Sequence, residues 1–410
     1  MIIGILYFAV FFLLWIRYRK KAKGSVGALL LFFYLLSALM TFLIEISDTF
    51  NKTAELDWRS TSYYLICVLI SLAPFLILGK YDSRKFYFSQ KLMRYLSLFL
   101  IIFGLIELSI SIKELYNNRA MIAMNIVSLR EGFYDTLGDV SNNSFFQKIL
   151  IFVIALQYMS PFCSIYNFSR GKKRLAIWTA VASLCVPVHG MTIGEREAIL
   201  VFFSNWAFCY FFFRSEIEKT VRSRIKRIGA LLMAPFVLFF FAMSFGRFES
   251  SSDGVVSGFL SYGGKQPYFF SYLFNTPSIN DQKLGGRFCF QYLFPSKERA
   301  WRQLNEYISA DEYLNQFGGL PGSMFLDFGY MSILVISAIA LVYYIIIKKA
   351  KMSNGQYPFY LLFLFYFSYQ VVFMNIFYLD YTYLPRILLN VMFFLIAFFF
   401  SEKNIDTSFK

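Results

Sequence analysis

Charge is scarce in this chain. Only 16% of its 410 residues are Asp, Glu, Lys or Arg, against about a quarter in a soluble domain. Histidine is scarcer still, with His189 the single example. One imidazole leaves little room for histidine-based nucleophilic triads or ordinary zinc sites, so no metal and no cofactor is expected. The five cysteines form no CxxC pair. Cys67, Cys163, Cys185 and Cys209 fall inside apolar runs and read as small core residues, and Cys289 alone lies in a polar segment, so no intrachain disulfide is expected. There is no phosphate-cradling P-loop and no GxGxxG, which removes the basis for nucleotide-driven chemistry. Internal repeats, low-complexity tracts and Pro/Ser-rich linkers are also missing. The chain therefore reads as one transmembrane domain, 1–410.

What is present is apolar surface. Hydrophobic residues make up 58% of the chain and aromatics 21%, with a mean hydropathy of +0.53. The apolar runs are hydrophobic on every side, a pattern that water does not tolerate but lipid does. Crossing a bilayer takes about 20 such residues. On that length the expected fold is all-α and polytopic, with about eleven spans near 1–16, 26–44, 61–79, 95–111, 145–166, 175–190, 197–213, 228–245, 324–347, 358–378 and 384–400. The first run lacks a basic n-region and a small-x-small cleavage site, so it reads as a span and not a signal peptide.

The basic residues set the orientation. Alternate connections (17–25, 80–94, 167–174, 214–227, 348–357 and the tail 401–410) hold 25 of the 40 Lys and Arg but only five acids. Positive-inside bias puts that side in the cytoplasm, with the N-terminus outside and the C-terminus inside. Topology thus accounts for the net charge of +15, and nucleic acid is not an expected partner.

Two outer segments are long. Residues 112–144 include a stretch, Met121 to Arg130, suited to a short interfacial helix. Residues 246–323 form one large extracytoplasmic loop, expected to act as a cap. Its centre interleaves glycine and aromatics (Tyr262, Gly263, Gly264, Tyr268, Phe269, Phe270, Tyr272), and a charged, helix-like stretch runs from Lys297 to Gln316. Long connections are usually functional. Aromatic faces mixed with polar edges suit sugar rings; a plain structured cap is the alternative.

Candidate site residues are charges near outer span ends. The turn His189-Gly-Met-Thr-Ile-Gly-Glu-Arg-Glu197 is short and highly charged. Arg196 opens the seventh span, where free N–H groups and partial positive charge favour a diphosphate; an ion pair with Glu195 or Glu197 is the other reading. Arg247 follows span eight. Arg386 lies just inside span eleven, where a guanidinium must pair, with Asp380 for instance, or line a wet cavity. Glu107, near the outer end of span four, is a buried-acid candidate of the same kind. Lys265 and Arg287 are loop cations, and Tyr268 a loop aromatic, suited to substrate contact. Glu249 and Asp253, just beyond span eight, are placed to serve as a base toward a sugar hydroxyl. His189 itself reads first as a turn or cap residue.

The segment Gly318-Gly319-Leu320-Pro321-Gly322-Ser323-Met324-Phe325-Leu326-Asp327-Phe328-Gly329-Tyr330-Met331-Ser332 resembles the opening of a late span in bacterial O-antigen and capsule polymerases. The Gly194-Glu195-Arg196 turn resembles the arginine that opens a middle span in those enzymes, and the large outer loop lies between the two landmarks. The resemblance covers about 190–400. It implies an enzyme of the bacterial cytoplasmic (inner) membrane that joins undecaprenyl-diphosphate-linked oligosaccharide repeat units on the outer leaflet, for O-antigen or capsular polysaccharide. It also implies lipid-linked oligosaccharide substrates, contact with membrane lipid, and a chain-length regulator and a flippase as partners. Related ligases carry a histidine in the large loop, and 246–323 has none. The rival classes are a lipid-linked oligosaccharide flippase or other secondary transporter, and a structural or sensory membrane protein.

Overall fold

The computed structural model describes residues 2–47, 55–117, 119, 153–192, 196–249, 258, 260, 262–276, 318–350 and 355–376, with a few positions in 391–399. Regular structure among them is helical. In chain order the helices are α1 (Ile2–Lys21), α2 (Val26–Ile46), α3 (Trp58–Gly79), α4 (Gln90–Asn117), α5 (Ser160–Ser169), α6 (Lys173–Ser183), α7 (Cys185–Thr192), α8 (Arg196–Phe213), α9 (Lys219–Glu249), α10 (Gln266–Asn275), α11 (Gly319–Phe328), α12 (Ser332–Lys349) and α13 (Phe359–Met374).

Six segments are long and apolar enough to cross a bilayer: Ile2–Lys21, Val26–Ile46, Trp58–Gly79, Gln90–Asn117, Lys173–Thr192 and Gly319–Lys349. The chain is by this measure a multi-pass helical membrane protein. Two further apolar helices, Ala198–Phe213 and Phe359–Met374, are shorter. The expected count of eleven is therefore met only in part. The start of the span expected at 145–166 and most of that at 384–400 lie outside the described residues, as do the Met121–Arg130 and Lys297–Gln316 helices.

The long outer segment is not a free-standing loop where it is described. Arg247 and Glu249 complete α9. Residues 262–276 leave the surface, and α10 packs against α3 and α11. Here the alternation of glycine with aromatics encodes close packing. The Gly263 and Gly264 carbonyls accept hydrogen bonds from Ser37 Oγ (2.5 Å) and Thr41 Oγ1 (3.0 Å) of α2. A Cβ on Gly264 would lie 2.7 Å from the backbone of Met40 and Thr41. Between helices in lipid, where apolar surface gives no net drive, such contacts and hydrogen bonds supply the cohesion.

The span expected at 324–347 is broken. Gly329 has φ 54, a conformation open to glycine, and ends α11 ahead of a 3-10 turn, Gly329–Met331. The freed backbone is satisfied by Tyr63 of α3. Its hydroxyl donates to Tyr330 O (2.9 Å) and accepts from Ile333 N (3.0 Å). Broken membrane helices persist only where such partners exist.

By its contacts the chain forms two compact units. The first holds Met1–Tyr81 and Val256–Asn390, the second Asp82–Val255 and Val391–Lys410. In the first, α3 is central and touches α1, α2, α10, α11, α12 and α13. In the second, α4 packs against α5, α6 and α7, and α8 against α5, α7 and α9. Aromatics fill both: Phe75 stacks on Phe365 at 4.9 Å in the first, and Phe88 on Tyr166 at 5.0 Å in the second.

Candidate functional site

The second unit is organised by one stripe along α4. Met93, Leu96, Ser97, Leu100, Gly104, Glu107 and Ser111 recur at three- and four-residue spacing and are buried. On the other faces Tyr95, Leu98, Phe99, Ile102 and Ile106 are exposed apolar residues. The stripe is polar at intervals, and its lower rungs are neutral, with Asn167 Oδ1 their one atom lacking a partner among the described residues. Asn167 Nδ2 donates to Ser97 Oγ (2.7 Å) and to Cys163 O (2.8 Å). Gln157 Nε2 donates to Leu100 O (2.9 Å) and its carbonyl accepts from Ser160 Oγ (2.6 Å). Gly104 permits this approach, because a Cβ there would meet Ala182 and the Gln157 amide at 2.8 Å.

The top rung differs. Glu107 is 1% exposed, a carboxyl group in the interior of a helix bundle. Its Oε1 accepts from Ser111 Oγ at 3.3 Å and lies 3.4 Å from His189 Nδ1. Its Oε2 has no hydrogen-bond partner among the described residues, and neither has the buried His189 Nδ1. The two groups are at ion-pair distance without a formed hydrogen bond. Glu114, further along α4, interacts electrostatically with both.

His189 is brought there by a broken span. The segment expected as one helix at 175–190 divides at Leu184 into α6 and α7, both packed on α4. Pro187 sits early in α7, where its missing N–H costs least. Thr192 Oγ1 donates to His189 O (2.7 Å) and closes the end of α7. Arg196 then begins α8, which packs against α7. Residues 193–195 lie outside the described residues, and the described part of α8 begins at Arg196.

The other site candidates are placed as follows. Arg247 and Glu249 occupy the last turn of α9. Lys265 is half-buried at the N-cap of α10. Tyr268, expected to face sugar, is 2% exposed within α10, and its hydroxyl donates to Thr41 O at 3.4 Å. Its aromatic face serves packing because the supposed loop is a buried helix. Asp253, Arg287 and Arg386 lie outside the described residues.

Sequence reasoning singled out Glu107 and His189 separately and did not join them. The available signal was that the only histidine and the lone acid of span four, near its outer end, fall at the same side of the bilayer by positive-inside topology. Asp57 went unnoticed. It caps α3, accepting from Arg59 N (2.8 Å) and Ser60 N (2.9 Å), and binds α10 through Ser271 Oγ (3.0 Å) and Asn275 Nδ2 (2.7 Å). An Asp followed three residues later by Ser before an apolar run is a readable helix start.

Among the described residues no group of three His, Cys, Asp or Glu side chains is placed to hold a metal ion. No protein-family model, curated protein or solved structure matches this chain. Fold and composition define its class as a multi-pass α-helical membrane protein.

Proposed function

We propose that this chain is a polymerase of lipid-linked oligosaccharide repeat units, working at the outer leaflet of a bacterial cytoplasmic membrane. The observation that carries the reading is the start of α8. Arg196 opens a helix packed against α7, the helix whose His189 meets a buried carboxyl group. A helix N-terminus that starts with an arginine suits a diphosphate, and the imidazole and carboxyl group on the packed helices α7 and α4 suit proton handling. The basic connections support an outer position for this end, and the Gly318–Ser332 segment supports the family. In this reaction the growing glycan leaves its lipid diphosphate for a hydroxyl on a new lipid-linked repeat. The broken sugar–phosphate bond supplies the energy. The protein's task is alignment of two substrates and stabilisation of the leaving diphosphate.

The test is Arg196→Ala in cells that make the polymer. Loss of a fixed donor to the leaving group costs on the order of 100-fold or more in rate. The polymer ladder disappears and single repeat units accumulate, while expression and membrane insertion persist. Arg196→Lys restores only part, since a point charge does not replace a two-pronged donor. A normal ladder from Arg196→Ala removes this residue from the site.

One observation favours a second reading. Ionisable pairs within membrane helices also mark proton-coupled transport, so a flippase or other secondary transporter of the same lipid-linked substrate is the alternative. The two separate by where repeat units accumulate when the chain is inactivated: outside for a polymerase, inside for a transporter.

A further inference from the structure

Asn167, Asn205 and Trp206 of the second unit also keep buried polar atoms without a partner among the described residues, but Glu107 and His189 set a buried acid beside a base. Neutral polar groups on the same face of α4 are matched by neutral partners. A carboxyl group 1% exposed, with one oxygen lacking a partner among the described residues, is a costly thing to place there. It faces the chain's single imidazole at 3.4 Å. The histidine is asymmetric: Nδ1 is buried toward α4, while 26% of the side chain remains exposed. That is the arrangement of a base that a carboxyl group can orient, with one nitrogen facing the carboxyl group at ion-pair distance and part of the ring left exposed.

We propose that His189 is the general base of this site and that Glu107, steadied by Ser111, is its positioning residue. The assignment rests on the polymerase reading. The acceptor sugar hydroxyl gives its proton to His189 Nε2. Its oxygen forms the new bond to the anomeric carbon of the donor glycan. The bond from that carbon to the diphosphate oxygen breaks, and its electron pair leaves with the lipid diphosphate. The imidazolium so formed has its Nδ1–H facing Glu107 Oε1, and the proton then passes to the leaving diphosphate or to water. Glu249 and Asp253 are not needed as bases in this scheme.

Other ionisable groups bear on the pair. On α4 these are Lys113 and Glu114, and on α7 Cys185, which interacts electrostatically with Glu107. Arg196 and Glu197 open α8, whereas Lys173 and Arg174 lie at the far end of α6, 15 or more residues before His189. The described part of α5, Ser160–Ser169, brings no charge.

The experiment uses the full chain in lipid nanodiscs with a synthetic lipid-diphosphate-linked repeat unit, followed by polymer length and by pH–rate profile. Wild type gives a ladder. His189→Ala lowers turnover by about 100-fold or more, the usual worth of a general base, and added imidazole restores part of it in a pH-dependent way. Glu107→Gln lowers kcat with KM little changed and shifts the pH–rate profile, and Glu107→Asp retains part of the rate. His189→Ala with wild-type turnover, or a loss that imidazole leaves untouched in a protein that still melts cooperatively, overturns the assignment. If wild type itself makes no polymer but moves the lipid across vesicle bilayers, the polymerase reading fails instead.

Discussion

Asp57 in the first unit and Glu107 in the second are both carboxyl groups at helices of the bundle, and they are treated in opposite ways. Asp57 accepts two backbone N–H groups at the start of α3 and three side-chain donors: Ser60 (2.5 Å), Ser271 (3.0 Å) and Asn275 (2.7 Å). Glu107 is more deeply buried yet, among the described residues, has Ser111 alone as a hydrogen-bond donor, with His189 near and Oε2 unmatched. A carboxylate saturated with donors ties two helices together. A buried carboxyl group with few donors leaves an oxygen unmatched, at a cost in stability that function can offset. The difference between the two sites is therefore a difference between a fastening and a reactive group.

The strongest way to break this contrast is to neutralise each carboxylate in turn. Glu107→Gln lowers kcat, yet it leaves stability unchanged or raises it by up to about 1 kcal/mol, because a buried carboxyl group with an unmatched oxygen is replaced by a neutral amide. Asp57→Ala does the reverse. It loses a helix cap and strands the Ser271 and Asn275 donors, lowering stability by about 2 kcal/mol. Turnover per folded molecule stays close to wild type. Melting of the two variants in the same detergent decides the matter. A Glu107→Gln protein destabilised as much as Asp57→Ala shows that Glu107 is a fastening too.

The same contrast explains what could be read from the chain alone. Helical class and spans 26–44, 61–79 and 95–111 were legible because an all-round apolar run of that length has one stable home. The division of 175–190 at Leu184 and of 324–347 at Gly329 was not. Hydropathy does not register a break whose polar atoms are satisfied from another helix, as Tyr63 does for the start of α12. The burial of Tyr268 was missed for a related reason: glycines and aromatics in 262–276 match a sugar-binding loop and a close-packed helix equally well. The meeting of Glu107 with His189 joins residues 82 positions apart, and no local signal encodes it.

A second comparison within the first unit tests that account of the glycines. Gly264 lies against the backbone of α2, where a Cβ would come within 2.7 Å of Thr41 N and of the Met40 carbonyl carbon. Gly355, with φ 75, has nothing within 4 Å of a Cβ. Gly264→Ala forces backbone apart and costs about 1–3 kcal/mol, with loss of the Ser37 and Thr41 hydrogen bonds. Gly355→Ala meets only the left-handed backbone cost, about 1 kcal/mol. Equal melting temperatures for the two variants contradict the docking of residues 262–264 on α2.

The smallest expected effect is on acid stability, and it isolates the charge on Asp57 from its shape. Burial opposes ionisation of this group, but the donors from Ser60, Asn275 and Ser271 outweigh it and hold the carboxyl at about 2, below the usual 3.8. A folded-state value below the unfolded one means that the unfolded chain takes up the proton first. The stabilisation is fully present above about pH 4 and is lost as pH falls toward about 2. Most of the group is solvated, so screening holds the contribution to less than about 1 kcal/mol. Asp57→Asn keeps the shape and one accepting oxygen but cannot titrate. The gap in thermal midpoint between wild type and Asp57→Asn should therefore be constant from pH 7 to about pH 4 and close below that. A gap that persists unchanged at pH 3 shows that the knot at Asp57 works through geometry alone, and that the carboxylate at the start of α3 owes nothing to its charge.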